Sequence, residues 1–543
     1  MARPARTYQE NCPRSLRPSA RAFRLGQMEF RRHSPLTRSN RLAIEFPLPA
    51  CFFPSPRYDG SVSRIPRDPI LSGITEASSI ASSTRTVGRG RLLQVLGMWF
   101  GMAAAIGNTI AAGIVRTPGD VAKLLPSVWM FLGVWILGGL YAFSGASSMA
   151  ELGAAIPRSG GQYNFSRRAL GDYAGFLVGW SDWLSTCGTA AAVGIVIAEY
   201  SGHLFPILAG STKVEIISIT IICGFGILQW RGIRWGSGAQ LSTAAMKTGA
   251  FFVLVLACFL LGGPAHQAAV QSASSSLRLP TGWPLAIAVM LGLQAVIYTI
   301  DGWDGVIYFG EEVRNPGRDV PRAIFGSVFS IMGIYLLLNL IALYILPMQE
   351  IAGNNFVLGA VAGRVFGTLG DPIIRSIMII SMLSCLNANQ LFCSRTLYAM
   401  SCDGLFFRRA TRVNAGGTPA ISLLLSTIVG VLFVLVSFLS ANAFERVIAM
   451  LSFFFVANYT LSYFSLFALR KREPQMARPY RAWGYPWSTG IALAASVLFL
   501  IGSIVTDQKN APLALAMLVL SYPVFRVLKW VTQRADAIAG KSS

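Results

Sequence analysis

The chain has 543 residues, 53% of them hydrophobic and 13% charged, and a formal net charge of +22. A soluble globular domain spends about 25% of its residues on charge, so this composition excludes an ordinary soluble enzyme or binding module. The basic excess lies in residues 1–91, which hold 16 arginines, no lysine and six acids, and at the ends of apolar stretches; that placement argues against nucleic acid as a partner and matches the charge signal of membrane helices.

Residues 1–91 are rich in Arg, Ser and Pro and show no sustained apolar period. This pattern predicts a basic, disordered N-terminal extension. Its acid-poor composition equally fits a targeting peptide or translated sequence upstream of the true start. No function is assigned to it.

From Leu92 the chain becomes a succession of apolar runs, each roughly 20 residues long, the length of a helix that spans a bilayer. A barrel strand would alternate apolar and polar residues. Residues 251–262 and 331–346 do not alternate, so the spans are read as helices. Twelve are expected, at 94–115, 127–150, 173–201, 214–230, 240–263, 284–309, 323–347, 372–400, 420–440, 445–469, 487–505 and 511–530. The third and eighth are long enough to require tilting. A twelve-helix membrane domain is therefore expected over 92–531, followed by a tail over 532–543. The loops after even-numbered spans carry more Lys and Arg than the others; Arg408, Arg409 and Arg412 follow span 8, whereas only Arg364 precedes it. This asymmetry predicts a multi-pass protein of the inner (plasma) membrane, in contact with lipid, with both termini cytoplasmic.

Two spans carry sequences that favour interruption. Span 1 contains Gly107-Asn108-Thr109-Ile110-Ala111-Ala112-Gly113, and span 6 contains Tyr298-Thr299-Ile300-Asp301-Gly302-Trp303-Asp304. Small residues make unwinding cheap and let a ligand approach the backbone. An interrupted helix exposes amides at the start of one half and carbonyls at the end of the other, suited to a carboxylate and an ammonium. Small residues can also serve only to pack helices closely, but the two acids of span 6 and the five-span offset favour a five-plus-five repeat with broken helices at corresponding positions. Span 5 carries Lys247, an ionisable group inside a membrane helix, which is costly and usually functional. Asp182 of span 3 lines a cavity or pairs with a partner from another span.

Several motifs follow in an order that resembles a known family. They are Glu151-Leu152-Gly153 with Pro157-Arg158-Ser159-Gly160-Gly161-Gln162-Tyr163 after span 2, and Asp301-Gly302-Trp303 with Glu311-Glu312-Val313-Arg314-Asn315-Pro316 around span 6. Ser394-Arg395 through Asp403-Gly404 closes span 8, and Trp483-Gly484-Tyr485-Pro486 precedes span 11. Over about residues 94–490 the chain resembles the amino acid–polyamine–organocation superfamily, nearest its bacterial amino acid permeases and L-type exchangers.

The resemblance implies an all-α polytopic fold of twelve transmembrane helices, built as a five-plus-five inverted repeat with discontinuous helices 1 and 6. It implies secondary active transport of amino acids by alternating access, sodium-independent, and either proton-coupled or by exchange against a counter-substrate. The family's Gly-Ser-Gly turn falls on Ala111, Ala112 and Gly113, whose amides would hold the substrate carboxylate; this chain departs from the pattern at the first glycine and the serine. The substrate amine would meet carbonyls near Thr109, Tyr298 and Asp301, beside Gly302, with Tyr298 at the aromatic gate position. Lys247 falls where related symporters bind sodium and would bridge span 1 carbonyls and the Ser381 hydroxyl of span 8. It is then either a proton carrier or a permanent structural tie. Asp304 adds negative charge near the amine or hydrogen-bonds within the unwound segment. Asn387 helps hold span 8, and Glu151, Glu311 and Glu312 are expected in ion pairs with basic residues of the loops.

No metal or cofactor is expected. His33, His203 and His266 lie outside the spans, the eight cysteines make no close CxxC pair, and no Ser-His-Asp set or phosphate loop is present. Some exchangers of the family bond to a heavy chain through a cysteine after helix 3; residues 203–213 contain none, so no disulfide-linked partner is expected. The alternatives within the same fold are a polyamine exchanger and a substrate-binding sensor.

Overall fold

The computed structural model describes residues 92–272, 278–439, 441–506 and 511–539; the expectation for residues 1–91 lies outside them. Helices occupy all twelve expected segments, and no strand is formed among the described residues beyond three isolated bridges. Among the described residues nine helices are long and apolar enough to cross a membrane, and a tenth crossing is made if the bent pair Met98–Thr109 and Gly113–Leu124 counts as one. The helix of span 6 falls short of that length. Trp283–Thr299 is cut to 17 residues by the break that follows it. Ala441–Arg472 of span 10 is 32 residues long and ends in Arg470, Lys471 and Arg472.

Spans 3 and 8 form the two longest helices, Asp172–Leu204 and Gly370–Cys402, each 33 residues. At 1.5 Å per residue each extends about 50 Å, well beyond the ~30 Å of hydrocarbon. They pack on one another through buried Cys187, Trp183, Cys393 and Leu397. The last helix runs to Ala539, so it passes the boundary expected at 531.

Span 1 breaks after Thr109. Ile110 turns to an extended conformation at φ −77° and ψ 94°, and the chain restarts as Gly113–Leu124 at an angle of 53°. Span 6 is interrupted, as expected of a discontinuous helix. Its helix stops at Thr299, an irregular stretch covers 300–304, and only the short 3-10 turn Gly305–Tyr308 follows. Gly302 sits at φ +101°, a conformation that disfavours side chains, and a Cβ there would lie 2.3 Å from the Asn108 amide nitrogen; the break needs glycine at this position.

The broken segments run antiparallel. Gly101 packs on Val306, Gly305 lies beside Ala105, Gly302 beside Asn108 and Gly113 beside Thr299. Numbers rise along one segment as they fall along the other, as an inverted pair requires. Thr117 and Thr299 join their hydroxyls at 2.6 Å in the same seam.

Candidate functional site

A helix leaves its last carbonyls without intrahelical donors, and in an apolar surrounding each must find a partner. At the end of the first half of span 1 every one of them does. Lys247 Nζ donates to the Gly107 carbonyl at 2.8 Å and to the Ile110 carbonyl at 2.7 Å. The Cys385 thiol lies 3.2 Å from the Asn108 carbonyl. The Tyr335 hydroxyl lies 2.9 Å from the Thr109 carbonyl and 3.2 Å from that of Thr299. One tyrosine of span 7 therefore sits at the C-terminal end of both interrupted helices.

Ser381 corrects the expectation drawn for it. Lys247 approaches the Ser381 carbonyl, at 3.4 Å, and not its hydroxyl. The hydroxyl donates to the Ile110 carbonyl at 2.6 Å. An ammonium has only protons to give, so lysine and serine act as two donors on one acceptor. Asn387 joins Gln240 at 2.7 Å and the Gly236 carbonyl at 3.1 Å and accepts from Gln229 at 2.9 Å, tying spans 4, 5 and 8. Gln240 reaches on to the Ala103 carbonyl of span 1.

The second half of span 1 offers the opposite groups. Among the described residues the amides of Ala111, Ala112 and Gly113 make no backbone hydrogen bond. These three residues line a cavity of about 280 Å³ that lies at both breaks. Thr109, Ala111, Ala112, Gly113, Tyr298, Asp301, Gly302 and Asp304 all line it. Tyr298 is half exposed and its ring stands 5.6 Å from that of Phe455. Lys247 and Ser381, by contrast, are fully buried behind the span 1 break and do not line the cavity.

Further polar residues lie on the wall. Asp182 accepts from the Tyr308 hydroxyl at 2.8 Å and from Thr396 at 3.0 Å, which resolves its role as a cavity residue with span 6 and span 8 partners. Asp304 accepts from Gln162 at 3.0 Å. Asn389 holds Asn108 at 2.9 Å. Asn458 and Tyr459 of span 10 complete that side, and Tyr459 stacks on the buried Trp303. Of these, Asn458, Tyr459, Tyr335 and Gln240 were not singled out from sequence. Their signal was a polar or hydroxyl group within an apolar span, too common to rank without contacts.

Toward the ends that carry the basic loops, ion pairs close the bundle. Glu312 and Arg395 form a two-pronged pair at 3.0 and 3.1 Å, with both side chains wholly buried. Arg395 comes from span 8 itself and not from a loop. Glu151 is held by Arg470 and, at 3.0 Å, by Arg478. Asp403 takes Arg158 and Arg167, both at 3.0 Å. Glu311 meets the Ser159 amide at 3.4 Å.

A polytopic bundle with two antiparallel broken helices and a ligand-sized cavity at the breaks is the architecture of secondary transporters. The family model described as amino acid permease matches residues 92–524. The chain belongs to the amino acid permease family. It is a multi-pass membrane transporter, as that family is. Among curated proteins it is similar to the serine/threonine exchanger SteT of Bacillus subtilis, with 27% identity over 448 residues, 81% of this chain and 97% of that one. The Asc-type amino acid transporter 1 of Mus musculus is 26% identical over 410 residues, covering 72% and 73% of the two chains. Solute carrier family 7 member 13 of Homo sapiens is 25% identical over 412 residues, covering 74% and 84%.

Proposed function

We propose that this permease exchanges amino acids across the plasma membrane by sodium-independent alternating access, with both termini cytoplasmic. The observation that carries the reading is the cavity at the two breaks, lined by Ala111, Ala112 and Gly113, whose amides make no backbone hydrogen bond among the described residues. In this reading those amides hold the substrate carboxylate. The ammonium sits against the carbonyl ends near Thr109, Tyr298 and Asp301, with Gly302 allowing close approach and Tyr298 covering the ligand. Replacing serine by Ala112 removes a hydroxyl from the carboxylate site but keeps its amide.

Lys247 supports the sodium-independent part. Its ammonium fills the polar node between spans 1, 5 and 8 and already donates to Gly107 and Ile110. A sodium ion there would need the carbonyls that the lysine occupies. Ser381 shares the Ile110 carbonyl and belongs to the same coupling node; Asp304, in the irregular part of span 6, is read as a gating residue. Exchange, in preference to proton symport, is supported by the similarity to a serine/threonine exchanger.

The test is counterflow in proteoliposomes over a panel of labelled amino acids, with and without sodium and with and without an imposed pH gradient. Uptake is expected only into vesicles preloaded with an amino acid, and neither gradient should change its extent. Accumulation driven by the pH gradient in unloaded vesicles would replace exchange with proton symport. Absence of movement for every amino acid would overturn the reading.

A further inference from the structure

The cavity wall carries three carboxylates, on Asp182 of span 3 and on Asp301 and Asp304 of span 6, and among the described residues no lysine or arginine lines it. Asp182 and Asp304 are buried, at 8% and 3% exposure. Their hydrogen-bond donors are neutral: Tyr308 and Thr396 for Asp182, and Gln162 for Asp304. Donors of this kind leave each carboxyl without a counter-ion. A buried anion without a counter-ion is costly, so the wall is built for a cation that the protein itself does not supply.

Asn458 of span 10 gives an independent indication. It lines the same cavity and is 4% exposed, and its amide nitrogen has no hydrogen-bond partner. Its amide oxygen lies 2.9 Å from the Ser181 hydroxyl, which also lies 2.8 Å from the Leu177 carbonyl. One hydroxyl proton cannot serve both acceptors. Which end of an asparagine amide is nitrogen is set by its hydrogen bonds. With the amide turned over, Nδ2 donates to Ser181 Oγ while the serine proton goes to Leu177. The orphan is then a buried oxygen of a cavity-lining residue, a fourth acceptor beside the three carboxylates.

These acceptors are not gathered around a point. Among the described residues no group of three His, Cys, Asp or Glu is placed to hold a metal ion. A dispersed set suits an extended organic cation with several N–H groups. We infer that the cavity selects an α-amino acid bearing a second, side-chain cation of the lysine or ornithine class, recognised by Asp182, Asp304 and the Asn458 carboxamide oxygen. The inference rests on the amino acid exchange reading for the placement of the α-amino and carboxylate groups. A neutral amino acid brings one ammonium to three carboxylates; a lysine-like one brings two. Sites built around buried polar partners reject analogues that lack the matching group far more strongly than apolar pockets do.

The experiment is counterflow of labelled lysine into proteoliposomes holding the full chain and unlabelled lysine, challenged outside by ornithine, serine, glutamate or putrescine. Ornithine should compete at least tenfold better than serine, and glutamate should not compete. Asp182→Asn and Asn458→Leu should each lower the lysine-to-serine ratio at least tenfold. Serine exchange without lysine exchange, or an unaltered ratio in both variants, would overturn the inference while leaving amino acid exchange intact. Putrescine competing as well as ornithine would overturn the α-amino acid part. If nothing is exchanged, the exchange reading fails by itself; binding of lysine against serine to the detergent-solubilised wild-type chain then decides the selectivity, and equal affinities would sink it.

Discussion

Lys247 and Ser381, from spans 5 and 8, place their donors on a single acceptor, the Ile110 carbonyl, at 2.7 and 2.6 Å. The oxygen belongs to the residue at which span 1 leaves its helix. The geometry of the break is thus held from behind the cavity by two side chains that the ligand does not touch. Any movement of the span 1 break relative to spans 5 and 8 must stretch or exchange these bonds.

Removing the ammonium should therefore disable transport without altering the cavity wall. In Lys247→Ala the Gly107 carbonyl loses its side-chain donor, and an unsatisfied buried group costs about 1–3 kcal/mol. Lys247→Met keeps the bulk of the stem and separates the charge from the packing. Both variants should lose at least nine-tenths of counterflow, with Lys247→Met melting closer to wild type in detergent. Counterflow unchanged in Lys247→Met would remove the coupling role.

Tyr335→Phe tests the tie between the two broken helices. The variant deletes one hydroxyl placed at the Thr109 and Thr299 carbonyls, a change of roughly 0.5–1.5 kcal/mol. Thr109 lines the cavity, so apparent affinity should weaken severalfold while the protein remains folded. Substrate-dependent counterflow and size-exclusion of the purified variant report the two effects separately.

Gly302→Ala tests the span 6 break. The residue sits at φ +101° and its Cβ would approach the Asn108 amide nitrogen to 2.3 Å. Strained backbone of this type costs about 1–3 kcal/mol, and Asn108 is fixed by Asn389. Counterflow should fall at least tenfold, with the loss larger than that of Gly333→Ala, where nothing lies within 4 Å of the added carbon.

The Glu312–Arg395 pair should be the most stability-sensitive contact outside the cavity. Both side chains are 0% exposed, and breaking a buried pair from one side costs about 3–5 kcal/mol because a lone charge is left behind. Arg395→Met should lower the melting temperature in detergent more than the paired change Arg395→Met with Glu312→Leu, which strands no charge.

Much of the architecture was legible in the linear sequence because it follows from local quantities. The length of an apolar run against the bilayer placed a helix at all twelve segments. Acids and glycine inside such a run marked the break at 300–304, and small residues marked the break after Thr109. The cost of an ion in lipid singled out Lys247. Tertiary structure decided what those features touch. It assigned the Gly107 and Ile110 carbonyls to Lys247, turned the Ser381 hydroxyl to Ile110, left only a 3-10 turn after the span 6 break, and brought Tyr335 to both helix ends. It also placed Asp182, Asp304 and Asn458 on one cavity wall. These residues come from spans 3, 6 and 10, and their charges and orphan groups become a recognition site only when helix packing withdraws them from water together. Periodicity reports which face of a helix is apolar, but not which distant carbonyl lies opposite a given side chain.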